Sequence, residues 1–356
     1  MTRSNRVCMV AILLLASFAA AAQRVEGDRA GAQGTYEAEV PVNNQGEAER
    51  NGGFARALVQ VLGKLTGDRN AATRPGVGQE LRRAKDFVKG YDYRQDEGRS
   101  ATGAPTFTTT LIVRFDPEEV DAIAATLGLP IWPEPRPKPV LWLAIDDGRG
   151  PRLVALPQNN AAKPITTRAI ERGYRLGLPS GSAAEQAAVG AIWRGDAAAI
   201  ARLSSRYSPP MQLIGKLYRA KEGGWTADWT FVDNGKVLST WSQNNPDARR
   251  AMAAGADGAA DALSRKYAKA STAVGQAGRY VVLINGVDSS DDYMRLAAYL
   301  QGLSVVRRVT PVRATPAALE LELELITGIP GLRRAVAGGD VLVAGGDDIL
   351  PQFLLR

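Results

Sequence analysis

Five prolines within ten residues divide this chain of 356 residues and set the strongest limit on how it can fold. They alternate with Trp132 and with charged residues, and they are Pro130, Pro133, Pro135, Pro137 and Pro139. Prolines this closely spaced exclude a helix and favour a stiff, extended connector. Residues 130–139 are therefore predicted to form a hinge between two separately folded modules.

The first module is predicted to cover residues 36–129, in the order β-α-(α)-β-β-α. Tyr36–Val42 alternates as a strand does, and the apolar residues from Phe54 to Leu65 recur at helical spacing. A glycine pair precedes them, which predicts that this helix begins near Gly53. After a β-rich run, Asp116 is followed by a proline and two glutamates, a pattern typical of a capped helix start.

The second module is predicted to cover residues 140–269 and to mix helices with strands. Val140–Ile145 is a continuous apolar run, which is typical of a buried central strand. Ser182 and Glu185 have the spacing of a capping box. Asn234-Gly235 predicts a tight β-hairpin turn, because both residues tolerate a positive φ. A long helix is expected after this hairpin, beginning at Asn245-Pro246.

The third module follows a linker of small residues and is predicted to cover residues 279–356. Its pattern reads β-α-β-β-α-β, the ferredoxin-like order, with its last strand at Asp340–Ala344. Leu319–Ile326 alternates leucine with glutamate and therefore predicts a strand with one solvated face. The predicted fold class is α+β, with three small α/β sandwich modules of which the last is ferredoxin-like.

The amino-terminal residues have the pattern of a secretory signal peptide. Arg3 and Arg6 precede an uncharged apolar run that ends in small residues, so residues 1–22 are predicted to be removed by cleavage between Ala22 and Gln23. Residues 23–35 would then form a flexible leader. The apolar run is short for a membrane-spanning helix, so we expect a periplasmic protein with no stable membrane insertion after cleavage.

The composition excludes several chemistries. The chain has no histidine, and its single cysteine, Cys8, lies in the predicted signal peptide. Histidine-based triads, histidine-ligated metals and cysteine nucleophiles are therefore excluded for the mature chain. No nucleotide-binding motif is found, and no cofactor is expected. Carboxylates, lysine or serine could still act as catalysts, so the enzyme question stays open, with a preference for a protein that is not an enzyme.

Neither nucleic acid nor a metal ion is an expected ligand. The net charge of +7 comes from basic residues interspersed with acidic ones, and Glu320, Glu322 and Glu324 would repel phosphate from one strand face. Asp288, Asp291 and Asp292 resemble a cation loop but lack its spacing, and acidic residues at a helix start already interact favourably with the helix dipole. We therefore interpret these aspartates as helix-start residues.

Trp241 is the one candidate interaction residue. If Asn234 and Gly235 form a two-residue turn, Asp228 lies opposite Trp241. Strand alternation then places Trp241 on the polar face, away from the core face that carries Trp229. Exposed aromatic residues are enriched at interaction surfaces. The alternative is that a helix or a neighbouring module covers the second face, which would make Trp241 an ordinary core residue.

Most of the chain from about Tyr36 to Tyr267 resembles a proteobacterial exported family known as a domain of unknown function (DUF2066). The runs that carry the resemblance include VPVNNQGEAERNGGFARALVQVLGKLTGDRNA, FVKGYDYRQDE, FTTTLIVRFDPEEVDAIAATLGLPIW and RPKPVLWLAIDD. The chain departs from the family pattern at Ser205–Pro210. The resemblance implies an envelope location but no activity. At the level of fold alone, the modules are similar to the TolB amino-terminal, LpoB and FlgT accessory domains.

The functional prediction is a non-catalytic periplasmic accessory protein that binds other envelope proteins through the surfaces of its modules. Two alternatives stay open. One is a carboxylate-dependent hydrolase of cell-wall glycan, which needs two carboxylates about 5–9.5 Å apart with one in an apolar pocket. The other is a small-molecule carrier or sensor, which needs one deep apolar pocket with a few polar groups.

Overall fold

Three β-sheets, each with its own helices, follow one another along the chain. The structure is a computed structural model that describes residues 34–99, 104–269, 275–315, 318–346 and 351–356. The predicted signal peptide and the cleavage site at Ala22-Gln23 lie outside these residues. The α+β fold class predicted from the sequence is confirmed.

The first sheet is antiparallel, with strand order β1-β3-β2. Its elements are β1 (Glu37–Val42), α1 (Glu47–Thr66), α2 (Val77–Arg82), β2 (Val88–Arg99), β3 (Pro105–Phe115) and α3 (Pro117–Thr126). The prediction that α1 begins near Gly53 is wrong, because the helix begins at Glu47. A Cβ at Gly53 would lie 2.6 Å from Leu111, so the missing side chain lets the helix pack closely on the sheet. Asp116 caps α3 as predicted.

The second sheet has the order β5-β4-β6-β7-β8, in which only the pair β4 and β6 is parallel. Its elements are β4 (Val140–Asp146), β5 (Arg152–Val154), α4 (Asn159–Glu171), α5 (Ala183–Gln186), α6 (Val189–Arg194), α7 (Ala197–Leu203), β6 (Met211–Arg219), β7 (Trp225–Asp233), β8 (Lys236–Asn245) and α8 (Ala248–Tyr267). Helices α4 and α8 cover one face, and α6 and α7 cover the other. Asn234 and Gly235 both have positive φ, which confirms the predicted turn.

The third sheet has the order β10-β11-β9-β13-β12. Its elements are β9 (Gly278–Asn285), α9 (Ser290–Gly302), β10 (Val306–Ala314), β11 (Leu319–Leu325), α10 (Gly328–Val336), β12 (Leu342–Gly346) and β13 (Pro351–Leu355). The predicted β-α-β-β-α-β order is present, and β11 alternates buried and half-buried residues as expected. The last strand, β13, is an addition to that order. It pairs in parallel with β9, so β12 lies at the sheet edge.

The sheets belong to one compact unit. The first and third sheets contribute to a single continuous core, and Arg334 of α10 donates a hydrogen bond to the carbonyl of Ala125, 2.7 Å away. The proline-rich segment also packs against its neighbours. Trp132 is buried, its backbone N–H donates to the carbonyl of Leu65, and the Arg136 guanidinium lies 4.5 Å from its ring centroid. Among the described residues, no helix has the length and apolarity that a membrane span requires.

Candidate functional site

Trp241 lies on the face of the sheet opposite to the predicted one. Val232 pairs with Val237 as expected, but Phe231 pairs with Ser239, so Leu238 is an extra residue in β8. This bulge shifts the register, and Trp241 lies opposite Trp229 rather than Asp228. One inserted residue moves all the following side chains to the other face of a strand. The predicted position of Trp241 on the polar face is therefore wrong.

Glycines allow both tryptophan rings to pack between the sheet and α8. The Trp229 ring is buried and contacts Gly215 on β6 and Gly255 on α8. A Cβ at Gly255 would lie 2.6 Å from this ring. The half-buried Trp241 ring packs against Gly258 in the same way, and its Nε1 donates to the carbonyl of Ala254 at 3.2 Å. Trp241 is therefore fixed in orientation while part of its ring stays exposed.

The exposed part of Trp241 lines an open cleft between β8 and α8, which we call the helix-side cleft. Its volume is about 580 Å³. The residues that line it are Arg69, Ser239, Thr240, Trp241, Ser242, Gln243, Arg250, Ala253, Ala254, Asp257, Gly258, Asp261 and Arg265. Arginine, aspartate and hydroxyl groups surround one aromatic ring, so the cleft suits a polar ligand with a small apolar contact.

Both aspartates of the helix-side cleft are held by Arg172, which is almost fully buried. Its guanidinium donates to Asp257 at 2.7 Å, to Asp261 at 2.8 Å and to the carbonyl of Gly67 at 2.9 Å. Burial by itself would raise the pKa of Asp257, but the hydrogen bonds from Arg168 and Arg172 outweigh burial and hold this pKa below its usual value. Asp257 therefore stays ionised and paired with Arg168 and Arg172.

Two arginines of the helix-side cleft are free to meet a ligand. Arg250 and Arg265 are exposed on α8, and within the described ranges neither has an ion-pair partner. Arg69, by contrast, pairs with Asp261 at 3.1 Å. The unpaired positive charge therefore lies at the two ends of the cleft, with the neutralised aspartates between them.

A second open cleft lies on the opposite face of β8, beside α6, and we call it the sheet-side cleft. Its volume is about 460 Å³, and its lining includes Arg194, Lys216 and Asp228. The Asp228 carboxylate accepts hydrogen bonds from Ser242 at 2.6 Å and from the Tyr218 hydroxyl at 3.1 Å, and Lys216 lies 3.4 Å away. Thr240, Trp241 and Ser242 line both clefts. Strand β8 therefore separates them, and in the described part of the chain no strand pairs with its outer edge.

The aspartates that resemble a cation loop lie at the start of α9. Ser289 is the N-cap, and the Asp292 carboxylate accepts from the Ser289 hydroxyl at 2.7 Å. These contacts lower the pKa of Asp292, first through the hydrogen bond from Ser289. Across the described residues, no group of three acidic, cysteine or histidine side chains is placed to hold a metal ion. The arrangement is that of a helix start.

Glu185 is a buried carboxylate with a structural role. It accepts hydrogen bonds from Ser180 and Ser182, from Arg206 and Tyr207, and from the backbone N–H of Gly181. The Glu185 half of the predicted capping box is present, because its carboxylate accepts from the Ser182 backbone N–H at 2.8 Å. The network ties the loop before α5 to the Ser205–Pro210 segment. All of these donors belong to the chain itself, so the carboxylate oxygens are engaged in hydrogen bonds within the protein.

Reasoning from the sequence missed the arginines and aspartates of the helix-side cleft. A signal was present, because Arg250, Ala254, Asp257, Asp261 and Arg265 recur at intervals of three or four and therefore share one helix face. Arg172 gave no such signal, because its partners are more than 80 residues away along the chain.

Comparison with protein families finds a match for the amino-terminal part of the chain. Residues 30–133 fit the model of a family described as a domain of unknown function (DUF8605). The expected resemblance to an uncharacterised domain is confirmed at that level, although the family is not DUF2066 and the match does not extend to Tyr267. It covers the first sheet and ends within the proline-rich segment. No curated protein matches the chain.

Proposed function

We propose that this chain is a non-catalytic accessory protein of the bacterial cell envelope, and that it binds another envelope protein by strand addition at β8. In this mode, an extended segment of the partner pairs with the outer edge of β8. The observation that carries the proposal is the open edge of a ten-residue strand between two polar clefts. The signal-peptide pattern of residues 1–22 supports the envelope location.

Strand addition uses both the unpaired backbone groups of the β8 edge and the clefts on its two sides. The backbone N–H and C=O groups of an edge strand are unpaired on one side and can bind a further strand. Successive side chains of an added strand point to opposite faces, so they would enter the helix-side and sheet-side clefts in turn. Backbone pairing would supply affinity, and the two clefts would supply specificity.

Two other edges of the sheets are less suited to this role. Strand β5, at the far edge of the same sheet, has only three residues. Strand β10 has two register irregularities and contains Pro311, and prolines and bulges on an edge oppose pairing with another chain. Strand β8 is long, has no proline between Lys236 and Asn245, and its single bulge lies near the hairpin turn.

The geometry supports the alternative functions less well. A glycosidase needs one carboxyl group that stays protonated near neutral pH. Asp257 has a lowered pKa, and both it and Asp261 are ion-paired with Arg172, so this pair does not meet that need. A carrier needs a deep apolar pocket, whereas both clefts beside β8 are open, and charged and hydroxyl side chains take part in lining each of them.

Site-specific crosslinking in intact cells tests the proposal. A photoreactive residue replaces Gln243, which is exposed on β8, and in a matched control it replaces Gln95, which is exposed on the edge strand β2. We expect one exported protein to be captured from position 243 and not from position 95. The purified pair should then bind directly in titration calorimetry. Capture of the same proteins from both positions, or of cytoplasmic proteins alone, would contradict the proposal.

A further inference from the structure

We infer that the segment bound at β8 is acidic and carries two aspartate or glutamate side chains about six residues apart. This inference rests on the proposed strand addition and adds the chemistry of the partner. It starts from Arg250 and Arg265, the two arginines of the helix-side cleft that lack an ion-pair partner among the described residues.

The spacing follows from the geometry of helix and strand. Arg250 and Arg265 are fifteen residues apart on α8 and are therefore separated by about 22 Å along its axis, at 1.5 Å per residue. Side chains on one face of an extended strand recur about every 6.7 Å. Three such intervals give about 20 Å, which corresponds to six residues. A separation of five residues would place the second acidic side chain on the other face, in the sheet-side cleft.

The charge of the helix-side cleft favours an acidic segment over a basic one. Among the described residues, Asp257 and Asp261 are the only acidic ones that line it, and Arg172 neutralises both of them, with help from Arg168 and Arg69. A basic segment would therefore find no free carboxylate on α8 and would meet two uncompensated arginines.

The same charges disfavour a second copy of the chain as the occupant. Antiparallel pairing of two β8 edges about a two-fold axis would place the two α8 helices on the same face of the joined sheet. Arg250 of one copy would then approach Arg265 of the other. Like charges placed opposite each other destabilise pairing, so the acidic segment of another protein is the occupant that fits.

Peptide binding to the full-length mature protein tests the inference. The probes are three dye-labelled peptides of nine residues with alternating threonine and valine. The first has glutamates six residues apart, the second has glutamates five residues apart, and the third has lysines six residues apart. A fourth probe repeats the first with N-methylated alternate amides, which cannot form a strand ladder. Fluorescence anisotropy gives the dissociation constants.

We expect the first peptide to bind most tightly and N-methylation to abolish its binding. The double variant R250E/R265E should weaken the first peptide at least about fivefold and strengthen the lysine peptide, because each ion pair is replaced by a repulsion. R249E is the matched control, since Arg249 is exposed on α8 but does not line this cleft. It carries the same charge change and should alter binding less than about twofold.

The outcomes separate the inference from the proposed function. Equal binding of the glutamate and lysine peptides, with loss on N-methylation, would overturn the acidic preference and leave strand addition intact. Equal binding of the two glutamate spacings would overturn the predicted spacing. Binding of no peptide would overturn both proposals. A dimer in sedimentation equilibrium that the single variant R265E stabilises, because positions 250 and 265 of the two copies would then carry opposite charges, would identify a second copy as the occupant and also overturn the inference.

Discussion

Gly255 on α8 provides the sharpest test of how the site is built. Alanine at a helix interior normally stabilises by about 0.5–1 kcal/mol relative to glycine. Here the added Cβ would lie 2.6 Å from Cε2 and Cζ2 of Trp229, closer than real Cβ contacts allow. The ring cannot withdraw, because it also packs closely on Gly215, where a Cβ would lie 2.1 Å from it, and it is only 2% exposed. Overpacking of this kind costs about 1–3 kcal/mol, so G255A should lower the free energy of unfolding by about 1–2 kcal/mol.

Urea denaturation followed by tryptophan fluorescence measures this change, and Gly63→Ala is its matched control. Gly63 lies within α1, where the nearest atom to an added Cβ is 3.7 Å away. G63A should therefore stabilise the protein by about 0.5–1 kcal/mol, in line with helix propensity alone. If G255A stabilised the protein as much as G63A does, Trp229 would not be packed closely between α8 and the sheet. The position of Trp241 beside it would then also be wrong.

Three further predictions concern buried charges and processing. Glu185→Gln should lower the free energy of unfolding by about 2–3 kcal/mol at pH 7, because it disturbs a buried carboxylate that accepts hydrogen bonds from several donors. Burial of Lys64 lowers its pKa to about 8. The unfolded chain therefore binds this proton more tightly than the folded chain, and the free energy of unfolding should rise between pH 8 and pH 10. Lys64→Met should flatten that rise in urea titrations at each pH. Amino-terminal sequencing of the exported protein should begin at Gln23, and a chain that still begins at Met1 would refute the signal peptide.

The pH dependence of the Glu185 variant provides its control. Burial opposes ionisation of Glu185, but the hydrogen bonds from Tyr207, Ser180 and Arg206 hold the pKa of its carboxyl well below the usual range. A carboxyl group whose pKa is lower in the folded chain than in the unfolded chain contributes stability at pH values above its unfolded-state pKa. This contribution is lost as the pH falls towards its folded-state pKa. The difference between the wild type and E185Q should therefore shrink below about pH 4. A difference that stays constant from pH 7 to pH 3 would contradict this account.

Local patterns predicted much of the fold. The strands β4 and β11, the cap at Asp116 and the turn at Asn234-Gly235 depend on neighbouring residues and are found as expected. The register of β8 was missed because the turn fixes only its first pairs. The bulge at Leu238 then brings Trp241 onto the face that α8 covers. A hairpin considered alone cannot reveal a helix that packs on it.

Long-range contacts account for the other differences between prediction and structure. Strand β13 pairs with β9, which precedes it by more than 60 residues, and nothing in its local pattern indicates this partner. The network around Arg172 joins α4, α8 and the end of α1. Because these groups meet only in the folded chain, the helix-side cleft could not be assembled from spacing alone.

Amide hydrogen exchange of the full-length protein, with and without the exported protein captured from position 243, tests strand addition at β8 most directly. Pairing of a partner segment with this edge buries backbone N–H groups in new hydrogen bonds, which slows their exchange. We predict that exchange slows within Lys236–Asn245 while the edge strand β2, at Val88–Arg99, is unchanged. Unchanged exchange in β8, with protection at β2 or on another sheet, would contradict the account.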